Sequence, residues 1–278
     1  MTAPSPEELS REIARWGAMK TQAETLATLM LAVAAGVFIA LGAMFASSIG
    51  SGSELGLGPT RLLMGLGFSV GLLFVVVLQT ELFTGNNLMI TSVLTHQVRF
   101  IGVARNWTLV YLGNFVGSIA IVLLVFYSRW WEQGDMAFAA EAVSTANVKV
   151  NLGFLEAFLR GVLANILVCL AVWTAAAGRT VTDKMFGVLL PIAAFVTGGF
   201  EHSIANMYFT PIGVLISSEP GAIEAAGLVA GDVENLTWAG AAGNLISVTL
   251  GNVVGGVMVG LPTRAVHLRE DALAGKAP

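Results

Sequence analysis

The sequence predicts an all-α integral membrane protein with six transmembrane helices, arranged as a 3+3 inverted repeat in which the second and fifth helices are broken. Three observations carry this prediction. The 278 residues are 55% hydrophobic and only 12% charged, with a mean hydropathy of +0.78, outside the range of soluble domains. Six apolar regions, roughly 26–49, 61–96, 105–128, 152–177, 185–216 and 239–262, each supply the ~20 residues that a bilayer core of about 30 Å demands. Finally, two of those regions carry the same polar punctuation, a Glu followed five residues later by an Asn: Glu81-Leu-Phe-Thr-Gly-Asn86 and Glu201-His-Ser-Ile-Ala-Asn206. A second pair, Gly113-Asn-Phe-Val-Gly117 and Gly251-Asn-Val-Val-Gly255, recurs in the same order, so one three-helix unit reads as written twice.

Residues 1–25 are too charged and too weakly apolar for a secretory signal and read instead as an N-terminal cytoplasmic amphipathic helix. Ser5-Pro6-Glu7-Glu8 forms a capping box with Pro at the first helical position, and Leu9, Ile13 and Trp16 fall on one face. Such a helix lies on the membrane surface or against the bundle. Residues 26–266 make the six-span pore domain and 267–278 a cytoplasmic tail.

Lys and Arg set the orientation. Arg11, Arg15 and Lys20 precede the first span, Arg99 and Arg105 follow the second, Arg179 and Lys184 separate the fourth and fifth, and Arg264, Arg269 and Lys276 follow the last. The alternate loops hold only Arg61, Arg129 and Lys149, which places both termini in the cytoplasm. Three spans per half is an odd number, so the halves must run oppositely through the membrane. The 217–238 loop carries Glu219, Glu224, Asp232 and Glu234, matching the formal net charge of -4, and reads as a solvated face. No basic patch interleaved with aromatics is present, which argues against nucleic acid as a partner.

The region 61–96 is too long for one straight span, and Thr84-Gly85-Asn86-Asn87 interrupts it. The reading is a half-helix to about Thr80 and a second from about Leu88. The fifth span repeats the device, with Gly198-Gly199 as the weak point and Ser203 or Asn206 to cap a new start. Non-helical backbone at membrane depth survives only where protein or a water-filled cavity satisfies it, so paired breaks predict a pathway. Half-helix N-termini meeting there attract an anion.

Within the breaks, His202 stands where the first copy has Leu82. An intramembrane imidazole can donate a hydrogen bond to an anion or hand over a proton. Glu81 and Glu201 are expected to bind backbone N–H groups freed by their own helix breaks. His96 and His267 sit at cytoplasmic helix ends, and Arg160 is placed to pair with Glu156 four residues earlier. Gly65, Gly67 and Gly71 lie inside a span, where small residues let helices approach. Three scattered His and the single Cys169 offer no haem or metal ligand pair, so no cofactor and no enzymatic activity is expected. Cys169 reads as a small buried hydrophobe.

Leu82-Phe83-Thr84-Gly85-Asn86, Phe200-Glu-His-Ser-Ile-Ala-Asn-Met207, Leu163-Ala-Asn165 and the two Gly-Asn-x-Val-Gly motifs together resemble the formate/nitrite transporter family, over residues 25–266. The resemblance implies an aquaporin-like fold, a homopentamer with one pore per protomer in the inner (plasma) membrane, and passage of a small weak-acid anion with proton exchange. Formate leads, with nitrite or hydrosulfide as alternatives; a water or neutral-solute channel would instead carry an Asn-Pro-Ala pair, missing here. Position by position, it makes His202 the central pore histidine, Thr84 its partner and Asn165 a nearby polar pore residue. Phe68 and Phe195 become aromatic members of the two constrictions, Leu82 and Phe83 further pore residues, and Lys149 a basic residue drawing anions into the periplasmic vestibule. Glu81, Asn86, Glu201 and Asn206 remain structural residues at the breaks.

Overall fold

A computed structural model describes the backbone of residues 4–273 and the side chains up to residue 266. The side chains of His267 and Arg269, and Lys276 altogether, lie outside the described residues. Every regular element described is helical.

Helix α1 (Pro6–Gln22) starts at Ser5, whose hydroxyl accepts the Glu8 N–H while the Glu8 carboxylate accepts the Ser5 N–H, completing the expected capping box. Its apolar face docks on the bundle: Leu9, Ile13 and Trp16 cluster with Leu88 and Cys169, and Ser92 Oγ donates to the Ala14 carbonyl at 2.6 Å. The long apolar helices α2 (Thr25–Gly50) and α3 (Leu57–Val77) follow. After a non-helical stretch come α4 (Phe83–Asn86), a 3₁₀ turn, α5 (Ile90–Leu94) and α6 (Phe100–Tyr127). The second half opens with α7 (Ala137–Val150) and α8 (Phe154–Ala177), followed by α9 (Val181–Thr197) and, after a matching gap, α10 (Ser203–Ile216). The short α11 (Ala222–Ala225) precedes α12 (Trp238–Leu273), whose helix continues past residue 266, where a tail was expected to begin.

Five helices, α2, α3, α6, α8 and α12, are individually long and apolar enough to cross a membrane, where six spans were expected. The apolar stretch expected as the fifth span is divided between α9, whose 17 residues open with Asp183 and Lys184, and the shorter apolar α10. The stretch before the first gap is also not the half-helix expected: α3 has 21 residues, about 32 Å of helix at 1.5 Å per residue.

Backbones meet where glycine permits. A Cβ on Gly117 of α6 would lie 2.1 Å from the Val33 carbonyl oxygen of α2, and one on Gly255 of α12 would lie 2.3 Å from the Val162 carbonyl oxygen of α8. These are the final glycines of the two Gly-Asn-x-Val-Gly motifs, and they fix both helix pairs so that the intervening Asn faces a gap. The outer faces of these helices carry Leu, Phe and Ile in the open, as a lipid-facing protein requires.

Candidate functional site

Each gap turns on a left-handed residue at its second position. Leu78 N–H still bonds to the Phe74 carbonyl, Gln79 turns to φ 52°, and Thr80 N–H reaches back to the Val75 carbonyl at 3.0 Å. In the second gap Gly198 N–H bonds to Ala194, Gly199 takes φ 66°, and Phe200 N–H reaches Phe195 at 3.1 Å. Both are helix C-caps that satisfy carbonyls left open at the end of α3 and α9. The chain then leans on a neighbouring helix, Glu81 N–H on the Leu31 carbonyl and Glu201 N–H on the Arg160 carbonyl, each at 3.3 Å.

The new helices start five residues earlier than the sequence suggests at the first gap, at Phe83, because the cap comes from elsewhere. Asn114 Oδ1 accepts the Phe83 N–H at 2.9 Å, while its Nδ2 donates to the Glu81 and Ala32 carbonyls at 2.9 and 2.7 Å. Asn252 does the same in the other half, accepting from Ser203 N–H at 2.8 Å and donating to the Glu201 and Gly161 carbonyls at 3.0 and 2.8 Å. One buried amide thus satisfies a helix-start donor and a gap carbonyl, groups that would otherwise be stranded. Thr84, Asn86, Ser203 and Asn206, expected as local caps, lie inside the new helices instead.

Glu81 and Glu201 do not take the backbone N–H groups expected of them. Glu81 holds Asn86 Nδ2 at 2.5 Å and Lys20 Nζ at 2.9 Å; Glu201 holds Asn206 Nδ2 at 2.6 Å and Lys149 Nζ at 2.9 Å. Each amide then passes to one more, Asn86 to Asn106 Oδ1 at 2.9 Å and Asn206 to Asn244 Oδ1 at 2.8 Å. Lys20 reaches its Glu from α1 and Lys149 from α7. Lys20, Asn106 and Asn244 were not singled out as site residues, since no local spacing connects them to the Glu…Asn pairs. Their mirrored placement relative to the two motifs is the only sequence signal that points to them.

His202 ends the second gap. Its Nδ1 accepts the Ala205 N–H at 3.1 Å, which makes the ring an N-cap and leaves the proton on Nε2. Nε2–H therefore donates to Thr84 Oγ1 at 2.9 Å, joining the start of α10 to the start of α4. The Thr84 O–H is left to donate elsewhere. Asn165 Nδ2 is already engaged, at 2.6 Å to the Asn252 carbonyl and 2.8 Å to Asn87 Oδ1, with Thr84 O at 3.3 Å, so it ties the two gaps together. Cys169 is buried beside it.

A cavity approaches this centre from each side. The one on the α1 side, about 320 Å³, is lined by Lys20, Glu81, Leu82 and Trp16 among others. The one on the α7 side, about 530 Å³, reaches Lys149, Glu201, Phe68, Phe195 and His202. Thr84 and Asn165 line neither and are fully buried. Phe68 and Phe195, read as aromatic members of the two constrictions, meet edge to face, centroids 5.4 Å apart, with Phe195 5.8 Å from the His202 ring. Phe83 departs from its expected pore position: it packs on Tyr111 and Trp107 of α6, centroids 4.9 and 6.3 Å away, and lines neither cavity. Arg160 pairs with Glu156 at 2.5 Å as expected and also donates to the Gly199 carbonyl at 3.3 Å. His96 is exposed beyond the end of α5.

The family described as "Formate/nitrite transporter" matches residues 7–265. Formate channel FocA of Escherichia coli K12 is 37% identical over 272 residues, covering 96% of this chain and 95% of that protein. A probable formate transporter of Methanothermobacter thermautotrophicus is 32% identical, covering 91% and 93%. Among solved structures, a pentameric formate channel with formate bound superposes with a TM-score of 0.79 at 36% identity, covering 88% of this chain and 98% of that one. Homology over almost the whole length, and a fold shared with a channel, identify this integral membrane protein as a member of the formate/nitrite transporter family.

Proposed function

We propose that this chain passes formate across the inner membrane through a pore in each protomer of a homopentamer, with His202 exchanging a proton with the permeating anion. The observation that carries the reading is the Nε2–H···Oγ1 bond from His202 to Thr84, made where two helix starts meet between two cavities. The likeness to formate channels and to a formate-bound pentamer supports the cargo and the assembly. The two gaps are read as breaks in the second and fifth of six spans, related as a 3+3 inverted repeat, with residues 26–266 as the pore domain and both termini cytoplasmic. On that reading Lys149 faces the periplasm and α1 closes against the cytoplasmic mouth. A cysteine introduced at Gln97 and labelled only from the outside overturns this orientation; the native Cys169 is buried and does not interfere.

An isolated carboxylate in an apolar neck is costly, by many kcal/mol at low dielectric, whereas neutral formic acid is not. The aromatic layer of Phe68 and Phe195 on one side and Leu82 on the other supply the apolar barrier. The positive dipole ends at the starts of α4 and α10 draw the anion toward it. Thr84 O–H is placed to hold a carboxylate oxygen beside Nε2. To become an imidazolium, His202 must release the Ala205 N–H from Nδ1, a loss that a neighbouring anion offsets. Water in the α7-side cavity supplies the proton that Nδ1 takes up. Transfer of the Nε2 proton to the carboxylate then cancels both charges at once, and the neutral acid crosses and gives its proton to water on the far side. The ring returns to the Nε2–H form by exchanging its Nδ1 proton for one at Nε2 through water.

Formate uptake into proteoliposomes at two pH values tests this. Wild type should take up formate faster at the lower pH, whereas H202F should take up far less and H202N should lose the pH response. An unaltered pH response in H202N rejects proton exchange at this ring; no formate uptake by wild type rejects the cargo.

A further inference from the structure

The α7-side cavity holds more positive charge than its own pairs account for. Three cations line it, Arg61, Lys149 and Arg160, against two carboxylates, Glu141 and Glu201. Lys149 and Glu201 are committed to each other at 2.9 Å. Arg160 binds Glu156 through Nη2 and the Gly199 carbonyl through Nη1. Arg61, half-buried near the start of α3, makes no side-chain hydrogen bond and no ion pair among the described residues. Its guanidinium lies over the open face of Gly199, where a Cβ would come within 3.1 Å of Nη1 and 3.6 Å of Cζ. The two arginines therefore reach the same glycine from α3 and from α8. Glu141 attracts Arg61 electrostatically but makes no hydrogen bond or ion pair with it: its carboxylate accepts from Thr145 Oγ1 at 2.9 Å, and burial on α7, outside the long apolar helices, pushes its titration upward against the pull of Thr145 and Arg61.

We infer that Arg61 and Arg160 form a holding site for a small carboxylate or similar planar oxyanion at Gly199, separate from the central His202–Thr84 site. A guanidinium presents paired N–H donors in the plane that matches a carboxylate, and Arg61 has that edge unused. Gly199 is required twice, by its left-handed φ of 66° and by the approach of Arg61. A cavity of about 530 Å³ is far larger than formate, so the anion is detained there in water rather than stripped. The site raises the anion's residence at the mouth before any dehydration takes place, an effect that salt weakens.

The inference rests on the anion reading above only for its consequence in transport, and its direct test does not. Saturation-transfer NMR of sodium formate with detergent-solubilised protein is compared for wild type, H202F and R61Q/R160L, all checked for an unchanged thermal midpoint. Formate contact is expected to persist in H202F and to fall at least severalfold in R61Q/R160L, with R61K/R160K intermediate. Loss in H202F, or full retention in R61Q/R160L, overturns the site. In proteoliposomes R61Q/R160L should need about tenfold more formate for half-maximal uptake at low salt, with maximal rate and pH response kept. A wild type that binds formate but does not take it up defeats the transport reading and leaves this site standing.

Discussion

The gap before α4 and the gap before α10 have the same skeleton and different contents. Both end a helix on a left-handed residue, both lean a Glu N–H on a neighbouring helix, both are capped in trans by an Asn, and both close a Lys–Glu–Asn–Asn chain. At the last residue they part: the first gap ends in Leu82 and the second in His202. The shared part is what backbone removed from water requires, and it is therefore duplicated. The unshared residue caps the Ala205 N–H through Nδ1, but its Nε2–H answers no backbone requirement, which makes that edge of the ring the place to look for chemistry.

The largest expected effect breaks the comparison at that residue. H202F gives the second gap an apolar end like that of the first and should abolish pH-dependent uptake while leaving the protein folded; an unfolded variant would show that the imidazole cap on Ala205 is structural as well. Next come the trans caps. N114A and N252A each strand a helix-start N–H and two carbonyl partners, so each should lower stability by about 3 kcal/mol or more, seen as an early thermal midpoint in detergent. Equal losses sharpen the equivalence of the two gaps, and a loss confined to one breaks it.

The lysines should differ in degree. Lys149 and Glu201 have side chains 13% and 4% exposed, against 29% and 10% for Lys20 and Glu81. K149M leaves the better-buried carboxylate alone and should cost about 3–5 kcal/mol, with K20M costing less because water and the end of α1 can relax around Glu81. The reverse order would mean that α1 seals its side more tightly than α7 does. The smallest effect concerns the left-handed residues. Q79G relieves a conformation that costs a side chain about 1 kcal/mol and should stabilise by that order, while G199A should destabilise similarly and displace Arg61.

The duplicated Glu…Asn and Gly-Asn motifs made the repeat, the apolar spans and the existence of both gaps legible, because each is a local departure from an apolar run. The limits of the gaps were misjudged for a physical reason. Thr84, Asn86 and Ser203 look like caps, but a cap delivered by Asn114 from α6 or Asn252 from α12 leaves no local trace at the helix it starts. The same distance hides Asn106 and Lys20, which reach Asn86 across 20 and 66 residues. Phe83 was misplaced because adjacent residues on a helix start face different ways: Leu82 lines the cavity, and Phe83 turns to Tyr111. Phe68 and Phe195 lie in different halves of the repeat, 127 residues apart, and only packing brings their rings together.

The glycine seams at Gly117 and Gly255 bear on how such a passage opens. Two helices whose backbones already touch cannot be squeezed, and they cannot be parted without stranding Asn114 and Asn252, whose amides bind carbonyls on α2 and α8. The frame is thus a stiff collar, and its bore is fixed by main-chain distances that thermal breathing barely alters. Size discrimination in such a collar persists on warming, and whatever opens or shuts the route has to be small: a ring turning, or the amphipathic α1 lifting from its seat.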